Sequence, residues 1–161
     1  MLRIRPFKES DVDTILTWCT DERAFYKWTA GMLGAYPPAR ESFAWLGELM
    51  RFTAIDEDKV VGFFTMRNPK PTLDELRFGF VILDPEIRGK GYGKAMLKLG
   101  IRYAFDIYSA DKVSLGVFEN NEAAYHCYKA AGLVDVTEEP QETYSVLGEQ
   151  WKCRELMLEK K

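Results

Sequence analysis

Histidine is almost missing from this chain. His126 is the only one among 161 residues, so no histidine-based nucleophile triad and no multi-histidine metal site can be assembled. Cysteine is scarce as well. Cys19, Cys127 and Cys153 form no C-x-x-C pair and are odd in number, which points to free thiols in a reducing cytosol rather than to a disulfide framework. No apolar run approaches the length that spans a bilayer, and the start, Met1-Leu2-Arg3-Ile4-Arg5-Pro6, lacks a signal-peptide core. A cytoplasmic location is therefore expected, without a membrane partner. Excess positive charge is absent too: 22 Lys and Arg face 25 Asp and Glu, a net charge of -3. That leaves no footprint for nucleic acid and mildly favours cationic ligands. Repeats, linkers and low-complexity segments are lacking, so residues 1–161 are read as one domain.

What is present is concentrated in Arg88-Gly89-Lys90-Gly91-Tyr92-Gly93. This run follows an apolar strand pattern, Phe78 to Leu83, and a turn at Asp84-Pro85; it leads into a helical pattern from Lys94 to Tyr108. Glycine lets the backbone approach a ligand closely and adopt positive φ. The first N–H groups of a helix have no partners inside it and attract an anion, and Arg88 and Lys90 add charge. The nucleotide loop G-x-x-x-x-G-K-[ST] is not found. Glycines 89, 91 and 93 with Lys94 also miss the dinucleotide pattern G-x-G-x-x-G.

Arg88, Gly91 and Gly93 do fit [R/Q]-x-x-G-x-G. That pattern resembles the acetyl-CoA pyrophosphate loop of the GNAT superfamily, the acetyl-CoA-dependent N-acetyltransferases. A strand pattern at Val113 to Phe118 follows, and then Asn121, Ala124, Tyr128, Gly132 and Leu133 match the family's N-x-x-A-x-x-x-Y-x-x-x-G-[F/L]. The resemblance covers residues 54 to 135. The N-terminal third loosely resembles the branch acting on ribosomal-protein N-termini, polyamines and aminoglycosides. The implied fold is α/β: a single-domain GNAT-type fold with a mixed, mostly antiparallel twisted sheet and helices on both faces. The implied activity is acetyl transfer from acetyl-CoA, as co-substrate and without a metal, to a primary amine. A small-molecule amine is the preferred acceptor. A protein N-terminal amine and a non-catalytic acetyl-CoA-binding sensor domain remain as alternatives, and a homodimer joined through an exposed last strand is expected from the family.

The resemblance assigns the diphosphate to main-chain N–H groups of Gly89, Lys90, Gly91, Tyr92, Gly93 and Lys94, with Arg88 beside them. It assigns the pantetheine arm to the backbone of Val81, Ile82 and Leu83, and a further cofactor contact to Asn121, which also stands where it would cap the next helix. Gly79 is expected either to mark a bulge that opens the cofactor slot or to serve close packing. Tyr128 is the expected general acid, because a phenol is protonated at neutral pH. The base stays open between Glu75, Glu119 and a water chain to solvent; for either glutamate a solvated surface charge is the first reading. Trp18, Phe25, Trp28, Tyr36, Tyr144 and Trp151, with Asp21 and Glu22, are the expected acceptor-side residues, suited to an amine with an apolar or cationic body.

The apolar patterns also predict a helix capped by Ser10 through Cys19, a short helix holding Phe25 and Trp28, and a helix from Ala39 to Met50. Strands are expected at Phe52–Asp56 and Val60–Met66, and a hairpin is expected around Leu147-Gly148.

Overall fold

The computed structural model describes residues 1–161. Eight strands form the frame: β1 (Arg3–Pro6), β2 (Met50–Asp56), β3 (Lys59–Arg67), β4 (Glu75–Leu83), β5 (Lys112–Phe118), β6 (Val134–Asp135), β7 (Thr143–Val146) and β8 (Glu149–Glu159). Four helices accompany them: α1 (Val12–Leu16), α2 (Glu22–Thr29), α3 (Tyr92–Arg102) and α4 (Glu122–Ala130). The sheet runs β1-β2-β3-β4-β5-β8-β6, with β7 also on β8. Every neighbouring pair is antiparallel except β4 and β5. A parallel pair requires a long crossover, and α3 supplies it.

The strand period of two sorts adjacent residues onto opposite faces. Phe64, Met66, Leu76 and Phe78 pack with Met96, Leu97 and Ile101 of α3, while Phe63 and Ile82 pack with Val12, Ile15, Phe25 and Phe43. The sheet is therefore covered on both sides, as its apolar pattern predicts. The two-residue turns Glu57-Asp58 and Leu147-Gly148 have positive φ at both positions, the geometry that matches the twist of a tight hairpin.

Three expectations are corrected. The Ala39–Met50 helix is a 3₁₀ segment at Arg40–Glu48. Phe43, Leu46 and Leu49 recur every three residues, and side chains three apart line up on a 3₁₀ turn. Ser10 caps nothing; it lies inside a short 3₁₀ turn, Glu9–Asp11, and α1 ends at Leu16, ahead of Cys19. The last strand, β8, is not an edge: β5 pairs with it on one side and β6 and β7 on the other. No helix is long and apolar enough to cross a membrane.

Asp11 ties the N-terminal segment to the sheet. Its carboxylate is only 2% exposed at the residue level. It accepts from both guanidinium ends of Arg5 at 2.9 and 2.8 Å, from the Lys8 N–H at 2.9 Å and from the Thr53 hydroxyl at 2.7 Å. Burial, the largest single influence, would raise its pKa, but these donors together outweigh it and leave the group below the usual carboxylate range. A lowered folded pKa stabilises above the unfolded value of about 4, and that contribution is lost as pH falls through the folded value. Asp11→Ala is expected to cost about 3–5 kcal/mol at pH 7, because Arg5 and Thr53 lose a buried partner. Urea unfolding at pH 7 and near pH 3 checks this: the difference between wild type and variant should shrink at the lower pH.

Candidate active site

The site begins with a fault in the sheet. Phe63 stands opposite Ile82 and Thr65 opposite Gly79, so Phe80 and Val81 together face Phe64. Phe80 absorbs the extra residue at φ +50°, a left-handed conformation that a bulky side chain adopts only when its surroundings impose it. The Trp28 indole N–H donates to the Phe80 carbonyl at 2.8 Å, and the two rings meet edge to face at 6.3 Å. The expected bulge is thus present one residue beyond Gly79. Gly79 serves close packing instead: a Cβ there would lie 3.0 Å from the Thr65 hydroxyl oxygen.

Past the bulge β4 has no strand on its other side. It pairs with β5 only over Glu75–Arg77 against Lys112–Ser114, whereas Leu115 to Phe118 continue along β8. The strands part like the arms of a V, and a cavity of about 950 Å³ fills the opening. Val81, Ile82 and Leu83 line it, with backbone groups on one edge free of any strand partner.

At the far end of β4 the chain turns into α3. Gly89 and Gly91 have φ of +78° and +86°, and Gly91 is the residue that starts the helix. The Ala95 N–H bonds the Gly91 carbonyl at 3.1 Å, so the N–H groups of Tyr92, Gly93 and Lys94 have no helical carbonyl to bond. A Cβ at Gly93 would meet the Cys127 sulfur at 2.9 Å, so glycine there lets α3 lie against α4. Arg88, Gly89, Gly91, Gly93 and Lys94 line the cavity. Arg88 also donates to the Leu83 carbonyl at 3.1 Å. Tyr92, expected to offer only its main-chain amide, leaves its side chain elsewhere, whereas Lys90 departs from its expected charge beside the loop. Tyr92 reaches away to donate to Asp56 at 2.6 Å, and the exposed Lys90 is outside the lining, so both can contribute only main-chain amides.

Helix α4 closes the other wall. Asn121 holds the expected capping position but makes no capping bond with its side chain; the residue lines the cavity. Tyr128 lies seven residues, about two turns, further along the same helix. It is 8% exposed and lines the cavity. Burial, the first cause, pushes its phenol well above the ordinary range, so it stays protonated. Tyr125, by contrast, donates to Asp135 at 2.8 Å.

The glutamates considered for base catalysis lie elsewhere. Glu75 is buried at the joined end of the V, where the Ser114 hydroxyl donates to it and the Lys112 ammonium stands 3.4 Å away. Six residues separate it from Val81, roughly 20 Å of strand. Glu119 is held by Arg154 at 3.3 Å and by Gln141 at 2.9 Å. Neither lines the cavity. Of the expected acceptor-side residues, Trp28 and Tyr144 line it, whereas Trp18, Phe25 and Trp151 are buried in the cores. Asp21 spends its carboxylate on the Ala24 N–H at 2.8 Å, starting α2.

Sequence reading missed Lys27, Arg67 and Arg77, which do line the cavity. Strand-end and helix-surface cations carry no local pattern that distinguishes them.

The sequence profile of the acetyltransferase (GNAT) family matches residues 12–133. The chain belongs to this family. Among curated relatives, the Bacillus subtilis spermine/spermidine N(1)-acetyltransferase is 38% identical over 50 residues, 31% of this chain and 33% of that protein. The Vibrio cholerae spermidine N(1)-acetyltransferase is 33% identical over 55 residues, 34% of this chain and 32% of that protein. The chain thus matches about a third of the length of these relatives. The crystal structure of the Vibrio cholerae spermidine N-acetyltransferase in complex with CoA and spermine superposes with a TM-score of 0.82 at 19% identity, covering 98% of this chain and 95% of that one. A dodecameric structure of spermidine N-acetyltransferase from the same organism gives 0.74 at 19% identity over 98% and 93%. The fold is therefore shared across almost the whole chain.

Proposed function

We propose that this protein is an acetyl-CoA-dependent N-acetyltransferase that moves the acetyl group directly to a primary amine of a small molecule. One observation carries the reading: the free amides of the glycine loop, the unpaired edge of β4 and the Tyr128 phenol all face one cavity. The curated relatives that act on spermidine and spermine support a small amine as acceptor.

The chain fits the co-substrate at three places. The N–H groups of Gly89 to Lys94, with Arg88 and Lys94 beside them, suit a diphosphate. Open space around the Cβ positions of Gly89 and Gly91 leaves room for it. The unpaired backbone of Val81 to Leu83 suits the amide-bearing pantetheine arm, and Asn121 lines the same cavity. Acetyl-CoA brings the thioester that the amine attacks. As the new N–C bond forms, a backbone N–H at the β4 bulge faces the growing charge on the acetyl oxygen. As the C–S bond breaks, Tyr128 donates its proton to the departing sulfur and recovers one from water. The amine loses its proton to water, because no carboxylate lines the cavity.

The test is release of free thiol from acetyl-CoA in the presence of primary amines, with one acetylated amine formed per thiol. Amine-dependent release is expected. Tight CoA binding by calorimetry with no release for any amine would replace this reading with that of a sensor domain.

A further inference from the structure

The charge inside the cavity is one-sided. The chain has more acids than bases, 25 against 22, yet no aspartate or glutamate lines the cavity, while five Lys and Arg side chains do. Arg88 and Lys94 belong to the glycine loop and account for a diphosphate. Of the others, Arg67 and Arg77 lie toward the opposite end, and Lys27 comes from α2, where the next residue, Trp28, bonds the Phe80 carbonyl at the bulge. Arg67 pairs across the sheet with Arg77, six residues before Leu83 and so roughly 20 Å along β4 from the loop. That distance is too great for them to serve the same diphosphate.

The three are not equivalent. Arg77 grips Glu155 with both guanidinium ends, at 2.7 and 2.9 Å, and also donates to Ser114 at 3.2 Å. Its charge is already answered. Arg67, which is exposed, and Lys27 have neither an ion pair nor a side-chain hydrogen bond, so their charges are unanswered within the protein. Lys27 is half-buried. Trp45 and Met32 line the same cavity while 57% and 49% exposed, which offers an apolar surface beside the two free cations.

We propose that the acceptor amine carries an anionic group, a carboxylate or a phosphate, and that Lys27 and Arg67 receive it. This rests on the acetyltransferase reading above and deepens it. The two cations would hold the anion while its amino group lies toward the β4 bulge; nitrogen replaces sulfur on the acetyl carbon, the sulfur leaves as thiol, and the amine proton goes to water. The same cations favour the neutral, reactive form of a nearby amine, since like charge disfavours an ammonium. They also repel a polyamine, whose further ammonium groups would find no carboxylate here.

The experiment compares matched amines by thiol release, with kcat/KM expressed per neutral amine: leucine against isopentylamine, O-phosphoethanolamine against ethanolamine, and spermidine. At least one anionic member should exceed its uncharged partner by roughly ten- to hundredfold, the scale of a charge-assisted contact; which pair shows the larger ratio distinguishes carboxylate from phosphate. In Arg67→Gln and Lys27→Gln the ratio should fall toward one, mainly through KM, and Arg67→Lys should restore part of it. Calorimetric titration with CoA reports whether each variant is folded. Spermidine ahead of both anionic amines, or a preference that survives in the double Gln variant, overturns the proposal while leaving acetyl transfer intact. Absence of thiol release with every amine overturns both.

Discussion

Tyr128→Phe should lower kcat by about 10²–10⁴-fold, the usual contribution of a positioned general acid, while CoA affinity stays within a few-fold of wild type. The substitution removes one oxygen from an 8% exposed side chain. No group of the protein donates to or accepts from that oxygen, so the fold loses no internal hydrogen bond and the thermal midpoint should hardly move. Burial holds the phenol well above its ordinary pKa of 10, so it remains the proton-bearing form through the whole neutral and mildly alkaline range. Activity should therefore show no alkaline fall below about pH 10 that is due to this group. The desolvation that raises the phenol also raises the proton affinity of a sulfur leaving beside it, which favours transfer between them. Stopped-flow thiol release with saturating amine gives kcat. Turnover at the wild-type rate in the Phe variant would remove Tyr128 from the chemistry.

Gly91→Val should weaken CoA binding by at least about 100-fold, with the fold retained. Gly91 has φ +86°, where an L-residue is strained by roughly 1–2 kcal/mol and a β-branched one fits worst. The strain acts at the residue that caps α3, where the amides of Tyr92 to Lys94 take their direction. A Cβ there meets nothing within 4 Å in the protein, and Gly91 lines the cavity proposed to take the diphosphate. The loss is therefore one of ligand room and amide alignment rather than of core packing. Calorimetry with CoA measures it, and unchanged affinity would show that the loop does not hold the diphosphate.

Features that depend on a few neighbouring residues were legible in the sequence. The glycine corner, the short helix that holds Phe25 and Trp28, the two tight turns and the alternation of β4 all follow from local φ/ψ preference and side-chain period. The strand and helix order they imply agrees with the family match and the shared fold. Features decided by a distant partner were not legible. Phe80 rather than Gly79 takes the left-handed conformation, because the Trp28 indole, 52 residues away, holds its carbonyl. Glu75 reads as a candidate base well back on the strand before the loop, and Ser114 and Lys112 hold it at the joined end of the V.

The primary structure by itself determined that a bend of glycines would present unbonded amides at a helix start, because backbone sterics and helix ends act over a handful of residues. Only the folded chain decided what those amides look into: a wedge between parted strands, free of carboxylates, with Lys27 and Arg67 unpaired in its lining. Charge pairing is a through-space property. Arg77 is neutralised by a glutamate 78 residues away, its cross-strand neighbour Arg67 is not, and no spacing along the chain distinguishes the two.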